Sequence, residues 1–129
     1  MNERGVAGIV IASALWILAT SLAFADSPNG KRLIGHWRHV NEDKIGEIIF
    51  NHDGTYSGHV AHKGAVVWEF AGKWSVEGKI LSYEYTRSSC ENIPAGTKDQ
   101  DKLLELAQDY YLVEAADGKR RTYWRVDET

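Results

Sequence analysis

Any chemistry in this chain has to come from five histidines, one cysteine and a few charged residues set among aromatic runs. His36 and His39 stand three apart in "LIGHWRH" (33–39), His59 and His62 repeat that spacing in "TYSGHVAH" (55–62), and His52 lies between. Imidazoles at this density suit zinc or copper. The spacing opposes that reading, because side chains alternate faces along a strand and residues i and i+3 point to opposite sides. A metal site would need one member of each pair, His36 or His39 with His59 or His62, helped by His52 from the turn. No cysteine pair completes such a set, since Cys90 stands alone. The expectation is no metal site and no cofactor. A lone cysteine also excludes an internal disulfide, leaving Cys90 as a tolerated thiol or a link to another chain.

The second candidate is the final run, "KRRTYWRV" (119–126). By period 2, Arg121, Tyr123 and Arg125 share one face, and Thr122, Trp124 and Val126 the other. Facing inward, Arg121 and Tyr123 would set a cation beside a phenol, a pair suited to a carboxylate or phosphate through charge-assisted hydrogen bonds. Facing outward, the arginines would be a solvated surface. Trp68, Phe70, Trp74 and Val76 share a face of another run, as do Leu81, Tyr83 and Tyr85 of the next; such faces form a core or line a ligand cavity. The candidate ligand-binding set is therefore Trp68, Phe70, Trp74, Tyr83, Tyr85, Tyr111, Arg121 and Tyr123. Catalytic signatures are missing: there is no G-x-S-x-G, P-loop, C-x-x-C or H-E-x-x-H. Glu47, Glu69 and Glu84 fall mid-strand with nothing to pair them for acid–base work, so no catalytic residue and no enzyme is expected.

These residues need elements to hold them. From Leu33 onward, short alternating runs are cut by "NHDG" (51–54), "KG" (63–64), "EG" (77–78) and "DG" (117–118). Turns of this kind accept positive φ and join hairpin strands. Trp, Tyr, Val and Ile fill the runs between, as strands prefer. Turns this close leave no room for crossover helices, so the sheet is antiparallel. The stretch 86–101, with Pro94 and Gly96, reads as one long loop at the rim, and "DKLLELAQ" (101–108) as a strand rather than a helical turn. About eight strands result. A meander of that length protects its edges most simply by closing into an up-and-down barrel.

Ahead of this all-β region, "VAGIVIASALWILATSLAF" (6–24) carries no charge, and Ala23 and Ala25 form the A-x-A pattern of signal-peptidase cleavage. We expect a signal peptide over 1–25 and an exported domain over 26–129, periplasmic or secreted, with no stable membrane anchor after cleavage. An uncleaved span is the alternative. The domain is large enough for one modest core. The net charge of −3 and the lack of basic runs interleaved with aromatics speak against nucleic acid.

Leu33, Gly35 and Trp37 as L-x-G-x-W, "IIFNHDGTY" (48–56), "GKWSVEGKIL" (72–81) and the terminal "RTYWRV" (121–126) together resemble the small bacterial lipocalin-like domains of the calycin group. The likeness spans Leu33 to Val126. It implies a barrel in which the first-strand tryptophan, Trp37, plugs one end and packs on a basic residue of the last strand, Arg121 or Arg125. It implies no shared activity. Three functions follow as expectations. The first is binding of a small apolar or amphipathic ligand, with a carboxylate head group at Arg121. The second is a protein-interaction or inhibitor module in the cell envelope, acting through its loops and an exposed Cys90. The third is histidine-based metal binding.

Overall fold

The computed structural model describes residues 27–127; the expected signal segment, residues 1–25, lies outside them. Eight strands follow one another: β1 (Gly35–Asn41), β2 (Lys44–Phe50), β3 (Thr55–His62), β4 (Ala65–Glu77), β5 (Ile80–Ser88), β6 (Lys98–Leu106), β7 (Tyr110–Ala115) and β8 (Arg120–Arg125). Each pairs antiparallel with the next and the ring closes, so the all-β barrel read from the turn spacing is the fold observed. The turns work as their residues require. Lys63 and Gly64, at φ 53° and 86°, form a tight connection whose twist matches the flanking strands.

Backbone pairing across the closing seam is short, joining Trp37 to Arg125 and Arg38 to Trp124. Two further bonds extend it. The Val126 amide donates to the His36 carbonyl at 2.9 Å, and His39 Nδ1 lies 2.9 Å from the Thr122 carbonyl oxygen. That oxygen can only accept, so the His39 tautomer carries its proton on Nδ1.

Three local readings are corrected. Leu33 does not open the first strand: it ends a short helix, α1 (Pro28–Leu33), and β1 begins at Gly35. The Ser27 hydroxyl accepts the Gly30 amide at 3.1 Å, and Pro28 sits in the first turn, where a missing N–H costs nothing. The long loop shrinks to residues 89–97. Thr86 to Ser88 continue β5 through a bulge opposite Ala71/Gly72, and Lys98 to Gln100 already belong to β6. Cys90 is half-buried rather than exposed, with its amide on the Ser88 hydroxyl.

Helix α1 seals one end of the barrel. Asn29 donates to the Gly78 carbonyl at 2.6 Å, and Arg32 to that of Leu106 at 2.6 Å, tying the helix to two turns. Beneath it Trp37 is fully buried, its indole N–H on the Leu33 carbonyl at 2.8 Å. Arg125, not Arg121, is the tryptophan's cationic partner, with its guanidinium 4.1 Å from the ring centroid. The same group donates to the carbonyls of Gln108, Ile34 and Arg32 at 2.7–3.0 Å. Gly35 makes room for it: φ is +133°, and a Cβ there would lie 2.5 Å from Arg125 Nη1. Phe50, Trp74, Val76, Leu81, Leu103, Tyr111 and Val113 fill the barrel behind this plug. The opposite end is left open.

Candidate functional site

The open end holds a cavity of about 420 Å³. Register decides which side chains enter it. Tyr111 and Val113 are buried on β7 and face Tyr123 and Arg121 across the β7–β8 ladder, so the Arg121–Tyr123–Arg125 face of β8 points inward. That condition for an interior cation–phenol pair is met. Arg121 and Tyr123 line the cavity, while Arg125 serves the closed end.

One wall is aromatic. Trp68 and Phe70 lie 4.5 Å apart between ring centroids, Trp68 and Tyr85 5.7 Å, and Phe70 and Tyr85 5.9 Å. Tyr56 joins them, 6.0 Å from both Phe70 and Tyr85 and 5.6 Å from Tyr83. Gly58 permits this packing, since a Cβ on it would sit 2.6 Å from Phe70. The Trp68 indole N–H donates to Ser88 at 2.9 Å, which holds the ring in place. Ile93, from the 89–97 connection, reaches the cavity from above, as expected of a rim segment. That connection is pinned: Tyr85 donates its amide to Thr97, and Gly96 returns one to Tyr85.

Of the eight residues expected to line a cavity, Trp68, Phe70, Tyr83, Tyr85, Arg121 and Tyr123 do so. Trp74 and Tyr111 share the inward face but lie deeper, in the closed-end core. Trp74 packs on Phe50 at 4.9 Å and donates to the Asn51 carbonyl, and Tyr111 packs edge-on against Trp37 at 4.9 Å. Alternation told which face they occupy; depth in the barrel decided between core and cavity.

Among the lining residues outside the expected set are His39, Tyr56, Asp99 and Asp101. The aspartates matter most. Leu103 is buried, so Asp101 and Asp99, two and four positions earlier on β6, face inward as well. That signal is present in the sequence, but the rim loop expected over 86–101 takes in Asp99 and meets the strand expected over 101–108 at Asp101. Tyr83 Oη donates to Asp101 Oδ2 at 3.0 Å. Burial pushes the Asp101 carboxyl above its usual range; the Tyr83 hydrogen bond and Arg121 pull it down, while Asp99 adds repulsion. Burial and the Asp99 charge push the Tyr85 phenol up to about 12, and burial with the Asp101 charge does the same for Tyr123. Tyr56 is buried, and its hydroxyl finds no hydrogen-bond partner among the described residues.

The histidines divide as alternation requires. His36 faces outward and bonds Glu47 at 2.7 Å, while His39 faces inward, its ring 5.2 Å from Tyr123. Among the described residues, no three His, Cys, Asp or Glu side chains converge as a metal site would require.

No family model matches the chain, and no curated protein matches it significantly. Solved structures do. An NMR structure of a protein from Bacteroides uniformis ATCC 8492 superposes with a TM-score of 0.55 at 19% identity, covering 75% of this chain and 91% of that one. A crystal structure of a lipocalin-like protein from the same organism matches with a TM-score of 0.45 at 14% identity, covering 74% of this chain and 99% of that one. At such identity the first likeness bears on fold alone. Eight antiparallel strands in chain order, closed at one end by a helix and a first-strand tryptophan, make this a small lipocalin-like β-barrel.

Proposed function

We propose that the protein is an exported, non-catalytic barrel that binds one small apolar or amphipathic molecule in its open end. The observation that carries this reading is the cavity of about 420 Å³ walled by Trp68, Phe70, Tyr85 and Tyr56, with a few polar groups at one side. A barrel of eight strands is just wide enough either to fill itself or to hold one small ligand. Here the closed half is filled and the open half is not. The uncharged run before Ala25 and its A-x-A pattern support export to the periplasm or beyond.

The test is titration of the full chain with N-phenyl-naphthylamine, an uncharged probe that fluoresces in apolar surroundings. Binding at one site per chain is expected. Val60 faces the cavity beside Trp68, so Val60→Trp should fill the space and weaken the probe at least tenfold without lowering the unfolding temperature. A folded wild-type chain that leaves the probe dark overturns the reading. Native mass spectrometry of protein from its own host would then give the mass of whatever it carries.

A further inference from the structure

We infer that the ligand is an organic cation, an amine with an apolar tail, whose ammonium group is seated between Asp99, Asp101 and the aromatic wall. This rests on the ligand-binding reading above and specifies the chemistry of its polar end.

Register turns both carboxylates toward the cavity, Asp101 half-buried and Asp99 exposed at the rim. Asp99 pairs with Tyr83 across the β5–β6 ladder and Asp101 with Leu81, so both project on the face that carries Tyr83 and Tyr85. Neither is spent internally. Among the described residues the ion pairs are His36–Glu47, Arg38–Glu47 and Arg120–Glu114, and none involves Asp99 or Asp101. Asp101 accepts one hydrogen bond from Tyr83, and Asp99 one from the Gln100 amide at 2.8 Å. A carboxylate has room for about four, so both retain acceptor capacity.

The buried Tyr56 hydroxyl is a second, independent sign of a polar ligand group at this place. It is enclosed, lines the cavity and has no partner among the described residues. A buried hydroxyl left without a partner is costly, and a ligand group that donates to it or accepts from it would satisfy it. The Asp99 charge reaches the phenols of both Tyr56 and Tyr85, which places the three in one neighbourhood.

The rings supply the third element. Aromatic faces attract cations through their quadrupoles, and Trp68, Phe70, Tyr85 and Tyr56 pack within one continuous cluster. A carboxylate ligand fits less well than Arg121 alone suggests. Its charge would meet the half-buried Asp101 and the exposed Asp99 at the rim, against the half-buried Arg121 and an exposed Lys44.

Three ligands that differ only in the head group distinguish the possibilities: octylamine, octanol and octanoate, titrated calorimetrically into the full chain at neutral pH. Octylamine should bind at least tenfold tighter than octanol, with octanoate weakest. The pair Asp99→Asn and Asp101→Asn together should erase most of the amine's advantage over the alcohol. Tyr56→Phe should weaken octylamine two- to fivefold. Octanoate binding as tightly as octylamine, or equal affinity for all three, overturns the inference while leaving the cavity reading intact. Failure of all three to bind overturns both. If the double variant does not fold, the order of the three affinities on the wild-type chain still supports or overturns the cation.

Discussion

Arg125 does the work of several residues at one point. Its guanidinium lies over the Trp37 ring and its N–H groups reach three backbone carbonyls from the helix end and the β6–β7 turn. Replacing it with methionine keeps the stem but removes the fork and the charge. Arg125→Met should lower unfolding free energy by about 2–4 kcal/mol in denaturant titrations, given the usual worth of hydrogen bonds to charged groups and of a partly desolvated cation–π contact. Arg125→Lys should recover only part of this, because an ammonium lacks the planar fork. Glu47 makes a different prediction. Burial would raise its carboxyl, but hydrogen bonds and charge from His36 and Arg38 outweigh that and hold it below its usual range. A carboxyl depressed in the folded state adds stability above its unfolded pKa and loses it as pH falls through the folded value. Glu47→Gln should therefore cost about 1 kcal/mol or less at neutral pH, and the two proteins should converge in stability in acid.

At the scale of elements, sequence signals differ in how far they carry. The dipeptides at 63–64 and 117–118 became turns because Gly64 and Gly118 accept positive φ, a property that needs no tertiary context. Strand ends did not follow so closely. Thr86 to Ser88 and Lys98 to Gln100 have the polar composition of loop, yet the neighbouring strands extend alongside and pair with them. That extension turned Asp99 from a loop residue into a lining one. Helix α1 was legible in principle, since Ser27–Pro28 is a capping residue followed by a first-turn proline. Six residues are too few to be helical alone, and the tie to two turns of the barrel is what holds them. Gly35 links this helix to β1. With φ at +133° and Arg125 pressed against the missing Cβ, Gly35→Ala should cost about 1–3 kcal/mol, read as a lower thermal midpoint with the circular dichroism spectrum retained.

Across the whole molecule, the barrel is two half-volumes with different tasks. One is plugged by α1, Trp37 and Arg125; the other is an aromatic-walled cup with two carboxylates and one guanidinium. Two buried hydroxyls mark the division. Tyr111 lies in the filled half and Tyr56 in the cup, and neither has a partner among the described residues. Tyr111→Phe removes an unsatisfied group from a packed core and should raise unfolding free energy by about 1 kcal/mol, measured by denaturant titration. The chain's own residues determined the strand count, the antiparallel order and the closure, because turn chemistry and period-2 alternation are local properties. The resemblance, and not the pattern of the residues, implied a cationic neighbour for Trp37 from the last strand, without saying which arginine. Only the tertiary structure chose Arg125 over Arg121, put Trp74 and Tyr111 in the core rather than the cavity, and set Asp99 and Asp101 opposite the aromatic wall. Each of those outcomes depends on height along the barrel axis. Height follows from the stagger between neighbouring strands, which alternation along any one strand does not encode.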